Sequence, residues 1–292
     1  MKEYLKLIRP HQWVKNGFIF LPLFFSLRFS DLNLALETLI VALAFCLIAS
    51  SIYVLNDLKD VVEDRNHPVK KFRPLAMGTV NQNAAFFLII AFLGIGLPVI
   101  FFISIKSFFV ALAYLGINFL YSFGLKHIPI LDISIIAIGF VLRLFIGSEV
   151  GGIHLSHWII IMTFLLALFL ALAKRRDDVI LASQGNEVRK SIDGYNLEFC
   201  NGGMMIMASV TLVSYILYCI SPEIISKFGT DKVYLTVFFV ILGILRYMQI
   251  TFVKQESGNP TKILLRDFFL QITIAGWIFA FIFLMYYDKW MR

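Results

Sequence analysis

Charge is what this chain has least of. Asp, Glu, Lys and Arg make up 15% of its 292 residues, against about 25% in soluble domains. Hydrophobic residues make up 59%, so too little polar surface remains to cover a water-soluble globule. Cysteine is equally scarce: Cys46, Cys200 and Cys219 lie in or beside apolar runs at no metal-ligand spacing, and read as small hydrophobes. The apolar runs are continuous rather than alternating, which excludes a β-barrel. A cleavable signal peptide is not expected either. The opening MKEYLKLIRPHQWVK is too charged to form its apolar core, and residues 1–15 read as an interfacial segment with Trp13 at headgroup depth.

What is present is a series of long apolar stretches. A helix needs about twenty such residues to cross the hydrocarbon. Nine stretches qualify: 17–30, 34–55, 84–105, 107–123, 129–147, 157–173, 200–220, 232–250 and 268–287, the first interrupted by Pro22 and Arg28. The expectation is an all-α polytopic membrane protein, one domain over 1–292, with nine transmembrane helices around a polar cavity that faces the cytoplasm. Orientation follows from the basic residues. With nine spans, 18 of the 26 Lys and Arg fall on the side of the amino terminus, 6 on the other and 2 within spans. That side is therefore expected to be cytoplasmic, with the protein in the inner (plasma) membrane. The same bias accounts for the net charge of +7 without nucleic acid as a partner.

The loops after spans two and six (56–83 and 174–199) are long and densely charged, and their spacing hints at an internal repeat. In the first, NDLKDVVEDRNHP (56–68) follows directly on an apolar span. If the helix continues, Asp57, Asp60 and Asp64 stand at i, i+3 and i+7, within about 60° of arc, with Asn56 beside them. Three carboxylates in one stripe repel one another unless a cation sits among them. Hard oxygen donors of this kind suit Mg²⁺, which completes its shell with water and phosphate oxygens. Asn56, Asp57, Asp60 and Asp64 are the candidate metal ligands, and the three aspartates the candidate catalytic residues. His67-Pro68 is expected to stop the helix.

Basic residues answer the acidic ones: Lys70, Lys71 and Arg73 within ten residues, Tyr121 and Lys126 after span four, and Lys174, Arg175 and Arg176 after span six. Asp178 falls four residues after Lys174, on its face. A solvated helix end and positive-inside decoration explain each cluster alone. Together, on one side of the membrane, metal-bridged carboxylates with Lys and Arg are what a diphosphate needs. Deeper, Asp132 and Arg143 share nearly one face of span five, three turns apart. An ionised residue there costs at least about 2.5–3.5 kcal/mol, so it faces a cavity or a partner; a buried Asp132–Arg143 pair and a substrate-contacting role both remain open. His154 and His157 lie in a short loop on the opposite side, where a metal is not expected.

N-D-x-x-D-x-x-x-D after the second span, followed by Lys70, Arg73 and Pro74, resembles the UbiA superfamily of intramembrane prenyltransferases. RPHQWVKN (9–16), DRNHPVKKFRPLAMG (64–78), YSFGLKH (121–127) and NPTKILLRD (259–267) are similar to one branch of it, the decaprenyl-phosphate phosphoribosyltransferases. The resemblance implies a nine-helix fold, a diphosphate substrate held through Mg²⁺, and Lys15, Asn56, Lys70, Arg73, Tyr121, Lys126, Asp132, Arg143, Lys174, Arg175 and Asp178 as substrate-binding residues. Prenyl-transferring members carry a second acidic motif after span six, where this chain reads KRRDD (174–178). Basic residues there suit a second anionic substrate. The implied reaction moves phosphoribosyl from phosphoribosyl diphosphate to a polyprenyl phosphate. The alternatives are prenyl transfer to an aromatic ring and, from another class, secondary transport through Asp132 and Arg143.

Overall fold

The computed structural model describes residues 2–66, 69–185, 190–256 and 258–290, with the backbone alone at 190 and 286–290. The expected helix stop at His67-Pro68, and Arg189 and Arg292 of the charge count, lie outside these residues. Every regular element among them is helical. Eight helices are long and apolar enough to cross a membrane, so the chain is an integral membrane protein. The chain divides into two compact units, residues 1–156 with 181–194 and residues 157–180 with 195–292.

The first unit contains α1 (Lys2–Ile8), a 3-10 segment (Pro10–Phe20), α2 (Leu21–Phe25), α3 (Leu32–Lys59), α4 (Val61–Asn66), α5 (Gln82–Ile103), α6 (Ile105–Phe123) and α7 (Leu131–Gly151). Its core is α3. About 67% of that helix's apolar window is buried, more than in any other long helix, because α5, α6, α7 and the 3-10 segment all pack on it. Asp31 caps its start, accepting from the Leu34 N–H at 3.2 Å, in the usual manner of a short polar residue at this position. Without a strong hydrophobic drive between helices in lipid, small residues set how closely they approach. Gly96 of α5 illustrates this: a β-carbon there would stand 2.9 Å from the Ala44 carbonyl of α3.

The first expected span differs from the expectation. Residues 17–30 are not one α-helix, and the segment begins earlier, at Pro10. Eleven residues at about 2.0 Å each and the five of α2 at about 1.5 Å give roughly 30 Å, the thickness of the hydrocarbon. Contacts at both ends match that length. Arg9 is ion-paired with Asp57 at the end of α3, while Arg28 pairs with Asp31 at its start and donates to the Gly151 carbonyl at the end of α7. Residues 10–27 thus run the length of α3. Gly147 admits the segment, since a β-carbon there would stand 1.8 Å from the Ile19 carbonyl oxygen. Trp13 packs on α3 short of its end. Its indole donates to Ser50 Oγ at 3.0 Å, about two turns in from Asp57.

The second unit holds α8 (His157–Ser183) up to Ile180, α9 (Leu197–Ile220), α10 (Pro222–Phe228), α11 (Val237–Phe252), α12 (Pro260–Arg266) and α13 (Phe268–Trp290). Buried polar groups tie it together. Trp277 Nε1 donates to Tyr215 Oη, which pairs with Thr236 Oγ1, both at 2.7 Å. Arg246 binds Asp267 through two nitrogens. The three cysteines are buried and form no disulfide among the described residues.

Candidate active site

The acidic motif sits where α3 ends. α3 ends at Lys59 and α4 begins at Val61; between them Asp60 adopts φ −93° and ψ 6° while its N–H still donates to the Asn56 carbonyl. The continuous stripe expected for the three aspartates is therefore broken at its middle member. Asp57 and Asp64 still turn the same way and are each 2% exposed. A single nitrogen, Arg73 Nη1, lies 3.0 Å from Asp57 Oδ1 and 2.7 Å from Asp64 Oδ2. Arg9 Nη2 also donates to Asp57 Oδ1. Asp60 accepts from the Lys126 ammonium, which is 4% exposed on the short turn after α6. Lys70 adds its field at Asp64. Burial nevertheless pushes the Asp64 carboxyl above the ordinary range, against the opposing pull of Arg73.

Among the described residues no group of three or more His, Cys, Asp or Glu side chains is close enough to hold a metal. For Mg²⁺ this is not a mismatch, because that ion takes one or two carboxylates and fills its shell with water and phosphate. A specific vacancy in the hydrogen bonding favours it. Among the described residues Asn56 Oδ1 is buried without a hydrogen-bond partner, beside Asp57 in sequence, and a buried acceptor left so is costly. Asn56, Asp57 and Asp64 fit a hard divalent cation. Asp60, the fourth expected ligand, is engaged by Lys126.

Asp132 and Arg143 do not pair. Asp132, fully buried in the first turn of α7, accepts from Ser191 Oγ at 3.3 Å. Arg143, eleven residues on, donates to Asn16 Oδ1, Gly139 O and Tyr114 Oη at 2.9, 2.7 and 3.2 Å. Its guanidinium also lies over the rings of Phe45, Tyr114 and Phe140. About 16 Å of helix separates the two, so sharing a face did not bring them together. Lys15, on the 3-10 segment, lies within electrostatic reach of Arg143, Arg9 and the Tyr121 hydroxyl. Tyr121 itself is buried at the end of α6.

In the second unit, Asp178 is taken by Arg175 rather than by Lys174. The three-residue step wins over the four-residue one expected. Arg176 is buried on Asn201 Oδ1 and the Thr251 carbonyl, both at 2.9 Å. Asp177 lies against Gly258, where a β-carbon would meet its carboxylate at 2.5 Å. Two of the three basic residues of KRRDD are thus held by their own unit.

Sequence reasoning missed Arg9, which reads as one more positive-inside charge. It was legible only in its setting: an arginine directly before a proline, at the mouth of an apolar stretch. The structure holds it at φ 52° and ψ 60°, a left-handed conformation that costs a side-chain-bearing residue about 1–2 kcal/mol. The distortion closes α1, with the Arg9 N–H on the Leu5 carbonyl, and aims the guanidinium at Asp57 and over Tyr53. Asn16, which orients Arg143, was missed in the same way.

The chain is 32% identical over 285 residues to the decaprenyl-phosphate phosphoribosyltransferase of Mycolicibacterium smegmatis, covering 94% of this chain and 89% of that protein. It is 30% identical over 293 residues to the protein of that name from Corynebacterium glutamicum, covering 97% and 86%. The fold matches a UbiA homolog from Archaeoglobus fulgidus, solved bound to DMAPP and Mg²⁺, with a TM-score of 0.71 and 21% identity over 97% of this chain and 99% of the other. Residues 19–273 match the UbiA prenyltransferase family, and the chain is a member of that family.

Proposed function

We propose that this protein transfers a 5-phosphoribosyl group from phosphoribosyl diphosphate to a polyprenyl phosphate and releases diphosphate. The observation that carries the reading is the cluster of Asp57, Asp60 and Asp64 with Arg9, Arg73 and Lys126 at the end of α3. The names of the full-length relatives give the donor and acceptor. We place the site at the cytoplasmic end of its spans in the inner membrane, with the amino terminus on that side and residues 10–25 as a ninth crossing, on the strength of the basic-residue bias.

Bound Mg²⁺, held by Asn56, Asp57 and Asp64, would neutralise the diphosphate of the donor. The chain's own cations do the rest. Arg73 and Arg9 sit on carboxylates and lie ready to turn to phosphate oxygens, and Lys70 reinforces them. Lys126 can pass from Asp60 to the departing diphosphate. The acceptor's phosphate oxygen attacks the anomeric carbon as the carbon–oxygen bond to diphosphate breaks. That nucleophile is already an anion, so no strong general base is required. Positioning and leaving-group stabilisation supply the rate.

Purified protein in detergent with labelled phosphoribosyl diphosphate, a polyprenyl phosphate and Mg²⁺ tests the reading. Labelled lipid should form in step with diphosphate. Consumption of a prenyl diphosphate in place of the ribosyl donor would overturn it.

A further inference from the structure

Two hydroxyls of the second unit are buried and bond to nothing among the described residues. Tyr247 Oη and Thr251 Oγ1 both lack a hydrogen-bond partner, and their residues are 7% and 0% exposed. They stand at i and i+4 on α11, on one face, with about 5–6 Å between their β-carbons. Helix geometry does not force this. Thr38, Thr211 and Thr273, buried in other long helices, each donate to the carbonyl four residues back, at 2.8, 2.7 and 2.8 Å. Thr251 forgoes that bond. An orphaned buried hydroxyl weakens a fold, and two on one face call for a reason. A ligand that brings their partner supplies one.

The surroundings decide what kind of ligand. The Thr251 carbonyl accepts from Arg176 Nη1, and Asn201 Oδ1 accepts from Arg176 Nε, both at 2.9 Å. Arg176 is 6% exposed, with its guanidinium over the Phe252 ring. Asp178 nearby is taken by Arg175, and Arg176 itself makes no ion pair among the described residues. An amide oxygen, a carbonyl and a ring face steady its charge but do not cancel it. The Tyr247 ring packs on Phe169, with centroids 5.4 Å apart, and Phe169 lies two turns before Arg176 on the same face of α8. The carboxylate acting on Tyr247 is Asp177, which lies against Gly258. A buried guanidinium beside two hydroxyl donors suits an anion, whereas a cation would meet the charge of Arg176. These groups lie in the last two turns of α11, which ends at Phe252. The end of a span is the depth of lipid headgroups, and Val253, directly after it, is 76% exposed.

We propose that Arg176, Tyr247 and Thr251 form an anion site in the second unit that takes the phosphate monoester of a membrane lipid, and so holds the acceptor of the reaction by its head. This rests on the phosphoribosyl-transfer reading above and gives the acceptor's phosphate residues of its own, none of them among those the resemblance implied. Arg176 supplies the charge, Asn201 fixes its plane, and each hydroxyl donates to one phosphate oxygen. Bonds of this kind are charge-assisted and stronger than those a neutral alcohol makes, so the site selects the lipid phosphate over the free polyprenol.

The test measures binding apart from turnover. Farnesyl phosphate, inorganic phosphate and inorganic pyrophosphate are titrated separately into full-length protein in detergent, with Mg²⁺. Wild type should bind farnesyl phosphate at least about tenfold more tightly than inorganic phosphate, which has no tail to bury. Tyr247→Phe and Thr251→Val each remove one hydroxyl and nearly keep the shape. Each should weaken farnesyl phosphate binding about tenfold, as the loss of a hydrogen bond to a charged group does, with pyrophosphate affinity unchanged. Their thermal midpoints without ligand should equal or exceed that of wild type, because neither hydroxyl has a partner in the fold. A double variant that binds farnesyl phosphate as wild type does would overturn the proposal. So would midpoints that fall together with affinity, since the hydroxyls would then serve the fold. Inorganic phosphate bound as tightly as farnesyl phosphate would overturn the assignment to a lipid. Farnesyl phosphate bound in the expected pattern, with no labelled lipid formed from phosphoribosyl diphosphate, would instead sink the reaction assigned above and leave the site standing.

Discussion

Replacing Arg73 by methionine keeps the side-chain volume and removes the charge that Asp57 and Asp64 share. Both carboxylates are 2% exposed, and contact with one nitrogen holds their nearest oxygens within about 6 Å of each other. At an effective dielectric near 20, two unit charges at that distance repel by about 3 kcal/mol. Breaking a buried ion pair from one side costs about 3–5 kcal/mol in general. Asp57 keeps Arg9, which sets the lower end, so Arg73→Met should lose about 3 kcal/mol of stability. Thermal unfolding of the purified protein in detergent measures the loss. Asp64→Asn in the Arg73→Met background should recover at least half of it, because one of the two like charges is gone. Millimolar Mg²⁺ should raise the midpoint of Arg73→Met more than that of wild type, since the ion no longer competes with a guanidinium. If the double variant is no more stable than Arg73→Met, the carboxylates are not opposed in the way described and the reasoning fails.

Asp60→Asn leaves Lys126 buried with a weaker acceptor and should lower turnover at least about 100-fold, or about 2.7 kcal/mol of barrier; near-normal product formation in membranes would count against the site. Gly147→Ala drives a β-carbon into the Ile19 carbonyl, where backbone meets backbone, and should cost at least about 3 kcal/mol. Gly116→Ala, in a helix with open space around it, should be neutral or stabilising by up to about 1 kcal/mol, and comparing the two midpoints checks the packing. The hydrogen bond from Arg246 holds the Asp267 carboxyl below its ordinary range. A depressed carboxylate contributes stability that is present above the unfolded value, near 4, and lost as pH falls through the folded value. Asp267→Asn should therefore flatten the fall of the thermal midpoint below about pH 5, and an unchanged slope would remove the pair from the account.

Most of the bundle was legible because hydrophobicity is a local, additive property: a run of about twenty apolar residues has few fates other than crossing lipid. Eight of the nine runs are the long helices of the fold. The first run was harder to read. Whether a segment winds as 3-10 or α-helix depends on what it packs against, and nothing in residues 10–25 announces Gly147 or the Ile19 carbonyl it admits. The chemistry of the site was legible in part for the same local reason. Asn56, the aspartates and the basic residues after them declare a place for anion and cation by type and spacing.

Which charge meets which was decided by tertiary structure. Periodicity put Asp57, Asp60 and Asp64 in one stripe, but a break at Asp60 gave the outer two to Arg73 and the middle one to Lys126. Periodicity also put Asp132 on the face of Arg143, yet helical rise kept them about 16 Å apart, one on Ser191 and the other among aromatic rings. Sequence alone determined that this is a membrane-embedded helical protein with an acidic and a basic group at one end of its spans. Only the fold decided the pairings, because electrostatic partners are chosen by distance in space and the chain approaches itself from residues far apart in order.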